Sequence, residues 1–278
     1  MTQLLTEDQR ATFESNGVLV IRDFYDMTSD IAPIQRGIHQ VIGEVMRRHD
    51  FVDTRRTFEA PNFDDGYLEF ISRNRAWGGD VYDAVKQIPA FLRLVAHPGH
   101  EQLFGELRPG STPGIAGGGY GIRIDNPNES RFRAQWHQEY PAQLRSMDGL
   151  VFWSPLVPIS EDLGPVQFCI GSHRDGAVPV HVDSGSERSG AYALTLKDES
   201  TVVSRYPHDA PLIRPSDLVV IDFLLLHASG HNRGARSRWS MQFRYFNFSD
   251  PVGRVHGWKG SFAAGVDFRS VHPELCAT

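Results

Sequence analysis

Cysteine is scarce in this chain: Cys169 and Cys276 are the two among 278 residues. They are too few and too far apart for a disulfide framework or a zinc site, so a reducing compartment is the default expectation. Basic residues are outnumbered, 28 against 34 acids, for a net charge of −6. With no basic run either, neither nucleic acid nor an anionic membrane is an expected partner. No apolar stretch approaches the roughly 20 residues of a membrane span. The opening MTQLLTEDQR carries acids where a signal peptide has a basic flank. A cytoplasmic location is expected. G-x-S-x-G, a phosphate loop and H-E-x-x-H are all missing, and no internal repeat or low-complexity linker divides the chain.

What is present is 40% hydrophobic residues, enough for one sizeable core. A single domain over residues 1–278 is expected. Residues 1 to about 110 read as a helical layer with one or two strands. There Thr6-x-x-Gln9 has the form of a capping box, Gly17 ends the first helix, and Val18 to Ile21 reads as a strand. From 30 to 48, Ile31, Ile34, Ile38, Val41, Ile42 and Val45 recur at helical spacing. A further helical stretch spans about 80–95, with a break at Pro89.

After Pro113 the pattern changes to short Val/Ile/Phe/Tyr runs punctuated by glycine and proline. They lie at 121–124, 150–156, 166–170, 201–205, 218–226 and 239–248. This spacing predicts a jelly-roll core over about 111–250 beneath the helical layer, with a tail at 251–278; the fold class is mostly β with α. Gly117, Gly118, Gly119 and Gly121 read as closely packed backbone at a strand start. In the last run Trp239, Met241, Phe243 and Tyr245 alternate with Arg238, Ser240, Gln242 and Arg244, giving one apolar and one polar face. Two arginines on an inward face need a reason, because unpaired buried charge is costly.

Histidine supplies the chemistry. In an extended segment His137 and Glu139 point the same way and can converge on one cation, suiting Fe(II), Mn(II) or Zn(II). The bare pattern is weak, since chance gives about one or two His-x-acid pairs at this composition. The chain has four, the others being His173-x-Asp175, His181-x-Asp183 and His272-x-Glu274. A third ligand must come from another strand. His227 closes the apolar run from Asp222, where a lone histidine is by default a hydrogen-bonded core residue. Ser229 and Arg238 follow, and Arg238 is placed to bind a carboxylate of a dicarboxylic co-substrate.

The segments LTEDQRATFESNGVLVIRDF, WHQEYP, GLVFWSPLVPISEDLGPVQFCIGSH and SDLVVIDFLLLHASGHNRGARSRWSMQFRY occur in an order that resembles the phytanoyl-CoA dioxygenase family. That family comprises Fe(II)- and 2-oxoglutarate-dependent oxygenases. The resemblance implies a double-stranded β-helix core, with His137, Glu139 and His227 as metal ligands. It implies Arg238 as the 2-oxoglutarate binder, helped by Ser229, with Arg123 reaching co-substrate or substrate. Fe(II), 2-oxoglutarate and O₂ follow as cofactors, with ascorbate supporting activity. Hydroxylation of an unactivated carbon of a small molecule is the expected reaction, with succinate and CO₂ as co-products. His173 and Asp175 fall in a structural turn, and the pairs at 181 and 272 in a loop and the tail. Glu139 stands where the family usually has Asp. The alternatives are a cupin-like metal enzyme that does not use 2-oxoglutarate, and a non-catalytic jelly-roll binding module. The pocket is expected from about 54–80, 108–123 and 183–210, with Arg55, Arg56, Arg73 and Arg75 favouring an amphipathic or anionic substrate.

Overall fold

The computed structural model describes residues 3–182, 194–260 and 266–277. Helix α1 (Glu7–Asn16) starts at the capping box, in which Thr6 Oγ1 accepts the Gln9 amide while the Gln9 side chain accepts that of Thr6. It stops at Gly17, whose φ of 75° is left-handed. A Cβ there would lie 2.4 Å from His173 Nδ1, so glycine is also required sterically. Strand β1 (Val18–Ile21) follows, and a π-helical turn (Met27–Ile31) leads into α2 (Ala32–Arg48). The α2 stripe Ile34, Ile38, Ile42 and Val45 is buried. Four shorter helices complete the layer: α3 (Tyr67–Arg73), α4 (Trp77–Val85), α5 (Pro89–Val95) and α6 (Pro98–Leu107). Pro89 opens α5, so it marks the predicted break.

The β region contains β2 (Pro113–Ile115), β3 (Gly121–Asp125), the short helix α7 (Tyr140–Gln143) and β4 (Leu150–Pro155). Next come β5 (Val166–Cys169), β6 (Val180–Val182), β7 (Leu194–Leu196), helix α8 (Glu199–Val203) and β8 (His208–Asp209). Strands β9 (Leu218–Asp222), β10 (His227–Ser229) and β11 (Arg238–Asn247) finish the core. Helices α9 (Pro251–Val255) and α10 (Phe268–Val271) lie in the tail. The major sheet runs β1-β9-β4-β11, and β2 and β3 share the far edge of β11. The minor sheet runs β10-β5-β8, and the named strands of both sheets pair antiparallel. This is the jelly-roll core with its N-terminal helical layer.

Two strand expectations are corrected. Residues 201–205 do not form a strand: Val202 N–H bonds to Asp198 C=O at 3.0 Å and Ser204 N–H to Ser200 C=O at 3.2 Å, making α8. The β-branched content of that run is overridden because a single turn buries both Val202 and Val203. The run 218–226 is not one strand either. Asp222 ends β9 by accepting the Leu224 amide on its carboxylate at 2.7 Å and the Leu225 amide on its carbonyl at 3.0 Å. His227 therefore opens β10 of the other sheet instead of closing β9.

Register explains the polar stripe of β11. Its odd positions pack under the helices, Trp239 against Tyr67 and Phe243 against Phe91. Arg238, Ser240, Gln242 and Arg244 face the space between the sheets.

Gln138 fastens the WHQEYP segment to this frame. It is buried, donates to Gly176 C=O at 2.8 Å and Leu224 C=O at 2.6 Å, and accepts the Val178 amide at 2.8 Å. Gln138→Ala strands those backbone groups, each at about 1–3 kcal/mol. A loss of roughly 3 kcal/mol or more in chemical denaturation is expected, and a loss below about 1 kcal/mol would show that the clamp is dispensable.

Candidate active site

A cavity of about 410 Å³ lies between the two sheets, and His137, Glu139 and His227 line it. His137 and His227 exchange both backbone hydrogen bonds, each 3.0 Å, which extends the minor sheet by one bridge and brings their rings to 4.2 Å. The Glu139 amide bonds to Phe223 C=O at 2.9 Å in the β9–β10 corner. As a result, one donor atom from each of His137, Glu139 and His227 lies within 4.8 Å of the other two.

Both imidazoles are oriented alike. Nδ1–H of His137 donates to Gln135 C=O at 2.7 Å, and Nδ1–H of His227 to Leu225 C=O at 2.9 Å. Each Nε2 then keeps its lone pair for the cavity, the arrangement a metal-binding histidine needs. Burial lowers both pKa values, that of His227 to about 3 with His137 as the next cause, so both rings are neutral at pH 7. Glu139 is 3% exposed. Burial acts to raise its pKa, but Arg244 and His137 outweigh it and bring the carboxyl down to about 2. Arg244 reaches it through Nε at 2.5 Å and Nη2 at 3.3 Å, and Gln143 Nε2 donates at 3.3 Å. A carboxylate has about four lone-pair sites, so these bonds leave room for a cation. Two neutral imidazoles, an ionised carboxylate and a common focus can hold a divalent metal.

Arg238 lies on the wall, 1% exposed. It donates Nη1–H to Gly164 C=O, its Nη2 lies 3.0 Å from Asp125 Oδ2, and its Nε is buried without a hydrogen-bond partner. Arg123 shares the same acid, Nη2 to Oδ1 at 2.9 Å. Burial opposes ionisation of Asp125, yet Arg123 and Arg238 hold its pKa near 2. Asp125 is thus held between two guanidiniums. Ser229 is buried and also lines the cavity.

The remaining His-x-acid pairs lie elsewhere. His173 contacts Glu14 C=O at 3.1 Å, and Asp175 accepts the Tyr206 hydroxyl at 2.6 Å. His272 sits between Tyr140 Oη at 2.6 Å and Glu274 at 2.8 Å. His181 is exposed, and Asp183 is outside the described residues. Among the pocket segments, 117–121 and Arg123 line the cavity, as do Leu194 and Thr195, while residues 183–193 are outside the described residues. Nothing from 54–80 lines it. Arg55 instead pairs with Asp53 and Arg75 with Glu129, so the expectation built on those arginines is withdrawn.

Sequence reasoning missed three residues. Arg244 was visible on the polar face of β11, six positions after Arg238 and hence on the same side. Asp125 stands two positions after Arg123 and hence on the same side of β3, whereas Arg145 belongs to no periodic or spaced motif. The glycines do more than pack: Gly119 C=O accepts from Arg244 at 2.9 Å, and Gly117 C=O from Arg145 at 2.8 Å.

The class that this fold and its family define is that of the non-haem, 2-oxoglutarate-dependent oxygenases. The family model for phytanoyl-CoA dioxygenase (PhyH) matches residues 13–240, and the chain belongs to that family. Solved structures similar to it include EctD from S. alaskensis with 2-oxoglutarate and 5-hydroxyectoine. That pair shares 17% identity at a TM-score of 0.58, over 90% of this chain and 79% of the other. The α-ketoglutarate-dependent carbocyclase SnoK from nogalamycin biosynthesis is 14% identical at 0.57, over 88% and 85%. The epimerase SnoN, in complex with Fe³⁺, α-ketoglutarate and nogalamycin RO, is 18% identical at 0.54, over 94% and 91%. At such identities the likeness is one of fold. None of the curated proteins matches the chain by sequence. Among the described residues no helix is long and apolar enough to cross a membrane.

The Glu139–Arg244 pair makes a pH prediction. A carboxyl whose pKa drops from 4.5 to about 2 on folding contributes stability that is complete above the unfolded value. That contribution is lost as pH falls from about 5 to about 2 and is on the order of 3 kcal/mol. In the metal-free protein, Glu139→Gln should lose less stability than wild type over this interval. Parallel acid limbs in urea denaturation would contradict the pairing.

Proposed function

We propose that the protein is an Fe(II)- and 2-oxoglutarate-dependent hydroxylase of a small organic molecule. His137, Glu139 and His227 hold the metal. The observation that carries this is their common focus in the cavity, with both Nδ1 atoms already committed to backbone carbonyls. When bound, the iron supplies, with O₂ and 2-oxoglutarate, the oxidant that takes hydrogen from a substrate carbon, and succinate and CO₂ are released.

The chain's own residues position and exclude. Gln135 and Leu225 carbonyls fix the two rings, and Arg244 fixes Glu139, so three cavity-facing donors are preorganised on one side of the metal position. Arg238, which shares Asp125 with Arg123, is the guanidinium on the cavity wall that binds the distal carboxylate of 2-oxoglutarate. Ser229 and Arg123 flank that position. Val151, Trp153, Val166 and Ile221 form an apolar wall that keeps water from the reacting carbon. SnoK and SnoN are named a carbocyclase and an epimerase, so this fold accommodates other outcomes. Hydroxylation is the outcome we propose here, with Glu139 completing a set of two imidazoles and one carboxylate.

The test is succinate release from 2-oxoglutarate with Fe(II) and ascorbate under air, where slow uncoupled turnover is expected without substrate. Arg238→Ala should keep the metal but raise the KM for 2-oxoglutarate, since losing a charged partner costs about 2–5 kcal/mol. Lysine at 238 should rescue partly, keeping the charge but not the planar fork. No succinate from wild type would refute the reading, and an unchanged KM in Arg238→Ala would remove Arg238 from co-substrate binding.

A further inference from the structure

Arg145 stands apart among the arginines of the cavity. Arg123 and Arg238 share Asp125, and Arg244 holds Glu139. Among the described residues Arg145 has no ion pair, although it is only 6% exposed. Its Nη1 donates to Gln143 Oε1 at 2.8 Å and its Nη2 to Gly117 C=O at 2.8 Å. Both acceptors are neutral, so they orient the guanidinium without compensating its charge, and further N–H groups remain. Burial, and after it the neighbouring Arg244, pull its pKa below the ordinary arginine value. A buried cation without a counter-charge is expensive, and a protein keeps one where a ligand brings the anion.

The charge balance points the same way. The cavity is lined by four arginines, set against the carboxylates of Glu139 and Asp125. Lys86, also on the wall, is paired with Asp83 at 3.0 Å. A divalent metal and doubly ionised 2-oxoglutarate cancel one another, so among the described residues the charge of Arg145 still lacks an anion once the site is loaded. The rest of the wall, Val151, Trp153, Val166 and Ile221, is apolar.

We propose that Arg145 is the subsite for a carboxylate of the organic substrate, which makes that substrate an anionic molecule with an apolar body. The proposal rests on the cavity being the active site. Arg145 is separate from Arg238: its orienting bonds go to Gln143 and to the glycine segment 117–119, whereas Arg238 is held at Gly164 and Asp125.

The experiment measures binding of two matched pairs, octanoate with octanamide and 4-phenylbutyrate with 4-phenylbutanamide. The protein carries Mn(II) in place of iron and saturating 2-oxoglutarate, without O₂. Wild type should prefer at least one acid over its amide by about tenfold or more, since an ion pair across a buried guanidinium is lost in the amide. The preference should vanish in Arg145→Gln and shrink in Arg145→Lys. Equal binding of acids and amides by wild type would overturn the proposal, as would a preference that survives in Arg145→Gln. Loss of 2-oxoglutarate binding in Arg145→Gln would also overturn it, by placing Arg145 on the co-substrate. If Arg145→Gln does not fold, the wild-type and Arg145→Lys comparison decides, and an undiminished preference in Arg145→Lys overturns the proposal. Failure of the active-site reading is visible separately, as wild type that binds neither Mn(II) nor 2-oxoglutarate.

Discussion

Two backbone hydrogen bonds between His137 and His227, each 3.0 Å, set the register on which the site depends. With that bridge made, His137 and Glu139 face the cavity, and the residue between them, Gln138, points into the frame and clamps Gly176, Val178 and Leu224. A slip of one residue would send both polar side chains into the core and Gln138 into the cavity. The corner after Asp222 matters for the same reason. It ends one sheet and starts the other, so it delivers His227 to the same point from the opposite side.

Charge is the second constraint. The inward face of β11 brings Arg238 and Arg244 into the cavity wall, where Arg238 is 1% exposed, and each is tolerated because an acid meets it. Glu139 answers Arg244, and Asp125 answers Arg238 and Arg123 together. These pairings preorganise the site: the carboxylate nearest the two imidazoles stays ionised and fixed, and the two guanidiniums at Asp125 are held on the cavity wall. Glutamate at 139, with one methylene more than aspartate, spans the distance to Arg244 on β11 while remaining in the triad.

Much of this was legible in the sequence, for identifiable reasons. The capping box at Thr6, the α2 stripe, the Pro89 break and the alternation along β11 are local patterns with one physical reading each. His137, Glu139 and His227 were singled out because extended i, i+2 geometry and an ordered set of family-like segments agreed, and the structure brings their donor atoms together. What failed was of two kinds, local breaks that composition hides and partners that only the fold brings together. Residues 201–205 have β-branched chemistry but form a turn of helix, and 218–226 reads as one apolar strand although Asp222 divides it. Arg145 carries no spacing signal, and the pairing of Asp125 with Arg238 exists only once β3 is folded against β11. The arginines of 54–80 misled for the converse reason, since their partners Asp53 and Glu129 could not be assigned from the chain alone.

The central claim is that His137, Glu139 and His227 are one metal site, and titration of bound Fe(II) under anaerobic conditions tests it most directly. Wild type and Glu139→Asp should bind one equivalent tightly, since charge and donor type survive. His137→Ala, His227→Ala and Glu139→Ala should each lose tight binding, because each removes one of the three protein ligands. His173→Ala and His272→Ala should bind as wild type does. Wild-type affinity in His137→Ala or Glu139→Ala, or metal lost instead in His173→Ala, would contradict the account.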